Sequence, residues 1–65
     1  MALSTADIKL AISLEATVRR FKGLLFIDTD DRLKLWYYRG FPSTLEAEVR
    51  KNTDGLKWLL RARAA

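Results

Sequence analysis

Sixty-five residues with twelve Lys and Arg against eight Asp and Glu give a net charge of +4 and a pI near 9.9, with no Cys and no His. The missing imidazole and thiol remove the commonest general base and the best nucleophile, along with disulfide staples and thiolate metal sites. At this length apolar burial and the entropy of ordering the chain are both on the order of 100 kcal/mol, so one marginal domain is expected, for which association with a second copy or a partner is a natural source of stability.

The composition, 49% hydrophobic and 31% charged, is globular. No segment has the apolar length of a membrane span. Met1-Ala2-Leu3-Ser4-Thr5-Ala6-Asp7 lacks the basic and apolar regions of a secretory signal. A soluble, cytoplasmic protein without cofactor or metal is the expectation.

Residues 4–22 read as a helix, because Leu10, Leu14, Val18 and Phe21 recur at helical spacing with Ala11 beside them. Ser4 and Asp7 suit an N-cap and its acidic N3 partner, and Gly23 stops the run. Ile8 and Ile12 lie on another side of this helix. Either they fold back into the core, or they face a second molecule, or Ser13 breaks the helix in two.

Leu24 to Asp28 and Arg32 to Tyr38 are rich in aliphatic and aromatic residues and flank Thr29-Asp30-Asp31, the pattern of a β-hairpin. A two-residue turn puts Leu24, Phe26, Leu33, Leu35 and Tyr37 on one face. A three-residue loop replaces the first two with Leu25 and Ile27. In either register Arg32, Lys34, Trp36 and Tyr38 share the opposite face. The acidic cluster fails as a calcium loop, since Arg32, Leu33 and the absent distal Glu break the ligand pattern, and it reads as a turn whose carboxylates bond their own backbone.

Gly40-Phe41-Pro42 is a turn, and Ser43-Thr44-Leu45-Glu46 has the form of a capping box with Ser43 as N-cap. Leu45, Val49, Asn52, Leu56, Leu59 and Arg63 then follow helical spacing. Asn52-Thr53-Asp54-Gly55 is poor helix chemistry, so a kink or a break into two helices is expected there. Trp58 lies off the stripe and is expected in a helix contact. The predicted fold is a small α+β domain, α-β-β-α(α), with the hairpin packed on helices, in one unit over residues 1–65 and homodimeric.

Charge is uneven: residues 1–31 sum to −1 and residues 32–65 to +5. Part of the excess suits the helix dipole, with Glu46 and Glu48 early and Lys57, Arg61 and Arg63 late. The remainder stands beside rings. Arg32, Lys34, Trp36 and Tyr38, with Arg39 following, are the candidate partner-binding residues. Either Trp36 and Tyr38 are core, sandwiched between the helices, or the basic and aromatic side chains interleaved at strand period dock an acidic peptide along an open sheet edge or stack bases and hold phosphates.

The stretch from Phe26 through Asp28-Thr29-Asp30-Asp31-Arg32-Leu33-Lys34-Leu35, then Arg39-Gly40 and Ser43-Thr44-Leu45-Glu46-Ala47-Glu48-Val49, resembles the N-terminal docking domains of the TubC type in nonribosomal peptide synthetases. Leu56, Trp58, Leu59 and Leu60 occupy the corresponding final helix, and the likeness covers roughly residues 14–61. Departures are the missing turn glycine, the missing proline after the helix cap, the longer N-terminal extension and the heavier Trp36-Tyr37-Tyr38. The resemblance implies a homodimeric module whose hairpin adds the acidic C-terminal tail of an upstream subunit as an extra strand, with Arg32 and Lys34 on its carboxylates and Trp36 in apolar contact. Arg61-Ala62-Arg63-Ala64-Ala65 reads as the opening of a linker, which suits an excised terminal domain as well as a complete small protein. The expected function is therefore a non-catalytic interaction module for an acidic peptide. The alternative is a small nucleic-acid-binding accessory protein of phage or plasmid type using the basic C-terminal half.

Overall fold

In the computed structural model, which describes residues 3–64, the chain forms α1 (Thr5–Arg20), β1 (Leu24–Ile27), β2 (Leu33–Trp36), α2 (Ser43–Lys51) and α3 (Thr53–Ala64). This is the α+β order read from the sequence, with the two-helix alternative realised at its C-terminal end. Met1, Ala2 and Ala65 lie outside the described residues. Arg61 to Ala64, expected to open a linker, instead continue α3.

Ser4 caps α1 as expected. Its hydroxyl accepts from the Asp7 N–H at 3.1 Å and the Asp7 carboxylate accepts from the Ser4 N–H at 3.1 Å, satisfying two of the helix's orphan donors. At the other end the left-handed residue is Lys22 (φ 62°), with Gly23 N–H donating to Val18 C=O and Lys22 N–H to Arg19 C=O, a Schellman closure. Gly23 serves a different need. A Cβ there would stand 2.8 Å from Val18 Cγ1 and 2.9 Å from the Phe41 ring.

The buried stripe of α1 is Ala11, Leu14, Glu15 and Val18, while Leu10 and Phe21 of the expected stripe are exposed. The cause lies on α3. Gly55 is buried, and a Cβ on it would lie 3.3 Å from the Asp7 carbonyl and 3.4 Å from Ala11 Cβ, so the two helices meet backbone to backbone at small residues. That contact turns Ala11 inward and Leu10 away, and Phe21 lies past the helix end. Helix α1 is unbroken at Ser13; Ile8 is half-buried and Ile12 is exposed, so the two do not both return to the core. Glu15, the one buried charged residue among those described, accepts from Arg19 at 3.0 Å and from Arg63, tying the end of α3 to α1.

The hairpin takes the three-residue loop. Leu24 pairs with Trp36, Leu25 with Leu35, Phe26 with Lys34 and Ile27 with Leu33. Asp28 C=O accepts from Asp31 N–H, Asp28 N–H donates to Arg32 C=O, and Asp31 adopts φ 62°: a turn closed by a left-handed bulge residue, where Asp is tolerated in place of Gly. Leu25, Leu33 and Leu35 therefore join Leu14, Val18, Leu45, Val49, Leu56 and Leu59 around the core.

Helix α2 begins after Pro42, whose side chain makes no cap bond, so the expected Ser43 capping box does not form. Glu46 is drawn elsewhere: it accepts from the Tyr37 hydroxyl at 2.7 Å and pairs with Arg50. The break falls at Asn52, whose amide donates to Glu48 C=O while the Thr53 hydroxyl donates to Arg50 C=O, local bonds that compete with helix continuation.

Candidate interaction surface

Strand alternation fixes what each side of the hairpin shows. With Leu25 and Leu35 inward, Leu24, Phe26, Lys34 and Trp36 stand on the outer face. Among the described residues no element closes over this face: Trp36 is 50% exposed and Tyr38 61%, with Leu24 and Phe26 also open. The Trp36 and Tyr38 rings meet edge to face with centroids 4.7 Å apart. Tyr37 is turned the other way, stacked on Phe41 at 4.6 Å, and the Glu46 carboxylate on its hydroxyl raises its pKa above the ordinary phenol value.

The sheet has only two strands, so each has one edge without a strand partner. The Asp28–Arg32 bond sets the ladder's alternation: Phe26 pairs with Lys34 and Leu24 with Trp36 in hydrogen-bonded positions, and the N–H and C=O groups of Leu33 and Leu35 point outward from β2. Those outward groups have no main-chain partner in another element among the described residues. Beside them runs a groove between β2 and α2, lined by Leu33, Lys34, Leu35, Glu46, Val49, Arg50 and Thr53.

The charges sort sharply. Six of the eight cations in residues 32–65 are paired: Lys34 with Asp28, Arg50 with Glu46, Lys51 with Glu48, Lys57 and Arg61 with Asp31, and Arg63 with Glu15. Among the described residues, the cations without an ion pair are Lys9, Arg20, Lys22, Arg32 and Arg39, three of which flank the hairpin. Two of the three carboxylates of the acidic cluster, Asp28 and Asp31, are also engaged. Asp28 Oδ1 accepts from the N–H groups of Arg32 (3.1 Å) and Asp30 (2.9 Å), and these bonds, Arg32's first, hold its pKa below the ordinary carboxylate value. Asp31, expected to bond its own backbone, instead reaches α3, where Arg61 and then Lys57 lower its pKa.

The five residues singled out from the sequence do not form one patch. Lys34 lines the groove; Arg32 is exposed beside the turn; Trp36 and Tyr38 form the ring pair on the outer face. Arg39 borders a separate hollow with Phe21, Lys22, Tyr38, Gly40 and Phe41 at the open end of the hairpin. Arg50 and Lys22 were missed because helical and turn positions far along the chain meet β2, for Arg50, or the residues that follow it, for Lys22, only in three dimensions. Phe26 and Leu24 were open to detection through the left-handed residue that closes a three-residue loop. Trp58, expected in a helix contact, is 45% exposed and borders a shallow depression with Leu3, Asp54, Lys57, Arg61 and Ala62.

No helix among the described residues is long and apolar enough to cross a membrane, and those residues hold no cluster of metal-ligating side chains. Comparison with known proteins gave no match: no family profile, no curated protein and no solved structure is significantly similar to this chain.

Proposed function

We propose that this chain is a non-catalytic docking module that captures an acidic, extended segment of a partner protein as a third strand along β2. The observation that carries the reading is the coincidence of a strand edge with outward-pointing backbone groups, a groove beside it, and the basic residues Arg32, Lys34 and Arg50 along it. Backbone bonds to Leu33 and Leu35 supply affinity, and alternate side chains of the added strand supply selectivity. Residues facing the groove meet Leu33, Leu35 and Val49 and are apolar; the intervening ones lie beside Arg32 and Lys34 and are acidic. β1, by contrast, carries no cation.

Membership in the TubC-type docking family belongs to this proposal and rests on the sequence pattern. Pairing of two copies belongs to it as well, through the side of α1 that carries Ile8 and exposed Ile12, as does a cytoplasmic setting. Sedimentation as a monomer at every concentration removes the dimer from the account.

The test is calorimetric titration with a peptide alternating Glu and Val. Arg32→Glu combined with Lys34→Glu is expected to weaken binding about tenfold or more while leaving the thermal melt in place. An unchanged affinity rejects the role of this edge.

A further inference from the structure

Strand addition uses the edge of β2 and leaves the rings on the outer face without a task. These rings are continuous with the hollow at the open end of the hairpin, because Tyr38 belongs to both: it meets Trp36 on one side and borders Phe21 and Phe41 on the other. Two residues with left-handed backbone, Lys22 (φ 62°) and Gly40 (φ 92°), shape the turns that bring Lys22, before β1, and Arg39, after β2, to the same hollow at the open end of the hairpin.

We propose that this ring-bearing face and the hollow together bind single-stranded nucleic acid, with bases stacked on Trp36 and Tyr38 and phosphates held by Lys22, Arg39 and Arg32. Charge selects the occupant. Those three cations have no ion pair among the described residues, and no carboxylate lines the hollow, whereas Glu46 lines the groove and Asp54 the depression beside Trp58. The acidic residue on the outer face, Asp28, is already engaged by two turn N–H groups and Lys34. A second copy of the chain seated here would set like charges against each other; an anion relieves them.

The rings narrow the class of anion. The Trp36 and Tyr38 rings stand at 73° to each other with centroids 4.7 Å apart, so bases laid on them cannot lie parallel in one stack, an arrangement that an unstacked single strand can follow and a stacked duplex cannot. Base–aromatic stacking is tolerant of sequence, and this face offers rings and cations without a rigid array of base-reading amides. The cations of α2 and α3, the bulk of the basic C-terminal half, are each ion-paired within the molecule, so the nucleic-acid surface is placed on the hairpin and the turn before it.

The experiment is fluorescence anisotropy with labelled oligothymidylate, the same label on a duplex, and labelled polyglutamate. With three phosphates neutralised, affinity for the single strand is expected to fall about 20-fold between roughly 50 and 200 mM salt. Trp36→Ala and Tyr38→Ala are each expected to weaken it about tenfold, as is Lys22→Glu with Arg39→Glu, all at solvent-exposed positions with the melt unchanged. In a Trp58→Phe background the oligonucleotide quenches Trp36 without shifting the Leu33 and Leu35 amides. The Glu-Val peptide shifts those amides whether or not the oligonucleotide binds, so the two readings stand or fall separately. Absence of oligothymidylate binding at low salt, a duplex bound as tightly as the single strand, or polyglutamate bound equally well with the same dependence on Trp36 each overturns the proposal.

Discussion

The contact between α1 and α3 and the outer face of the hairpin treat bulk in opposite ways. At the first, Gly55 and Ala11 are small so that two backbones close to van der Waals distance, and Ala11 and Leu56 are 0% exposed. At the second, Leu24, Phe26, Trp36 and Tyr38 are large, and each leaves a large part of its surface in solvent. A domain this small, with stability a narrow difference of large terms, keeps four large apolar side chains out of its core. Scattered exposed apolar residues need no explanation, whereas a contiguous set on one sheet face is the surface that the proposed binding uses.

The comparison breaks first at its packed end. Gly55→Leu places a branched side chain where even a Cβ touches the Asp7 carbonyl and Ala11, and about 3 kcal/mol or more of stability should be lost, read as a lowered urea midpoint or an unfolded chain. Gly55→Ala is the sharper probe. It sets a gain of about 1 kcal/mol in helix propensity against a tight 3.3 Å contact, and should come out near neutral. Next in size is Gly23→Ala, whose methyl meets both Val18 and Phe41 under 3 Å; a loss of about 1–3 kcal/mol is expected.

Acid tests the tether between the two regions. Asp28 and Asp31 have folded pKa values below the ordinary 3.8, so the stability they contribute is complete above that value and lost as pH falls through the depressed ones. Urea midpoints should therefore drop only below about pH 4, and Asp31→Asn should shrink the drop. Tyr37 acts at the other end: its raised pKa makes its contribution complete below pH 10 and lost above it. The smallest stability effect belongs to the open face. Trp36→Ser with Tyr38→Ser should change the midpoint by about 0.5 kcal/mol or less, although the same pair should lose ring-dependent binding.

How much of this was legible in the sequence follows from which signals are local. The Ser4 cap, the hairpin, a kink or break over Asn52 to Gly55 and the shared face of Lys34 and Trp36 are consequences of neighbours within a few residues and were readable, whereas the exposure of that face depends on where the helices pack. The turn of α1 was not, because a stripe of Leu10, Leu14, Val18 and Phe21 is as good a helical pattern as the true one until Gly55, forty-four positions from Ala11, sets the line of contact. Gly55 was read only as weak helix chemistry, when its lack of a side chain is what lets α3 approach. Glu46 was misread for the same reason: the cap bond lost to Tyr37, a partner the hairpin delivers. Among the candidate residues, Arg32, Lys34, Trp36 and Tyr38 were singled out by strand period and Arg39 as the cation that follows them. Their division into edge, face and hollow required the register and the position of α2.

The claim beneath the proposed function is that β2 keeps an unpaired outer edge at Leu33 and Leu35. Amide hydrogen exchange on the free protein addresses it directly. The Leu33 and Leu35 amides are expected to exchange fast, with those of Phe26 and Lys34 protected, and the Glu-Val peptide should slow the first pair without altering the second. Protection of Leu33 and Leu35 in the free chain, or exchange there that the bound peptide leaves unchanged, would contradict it.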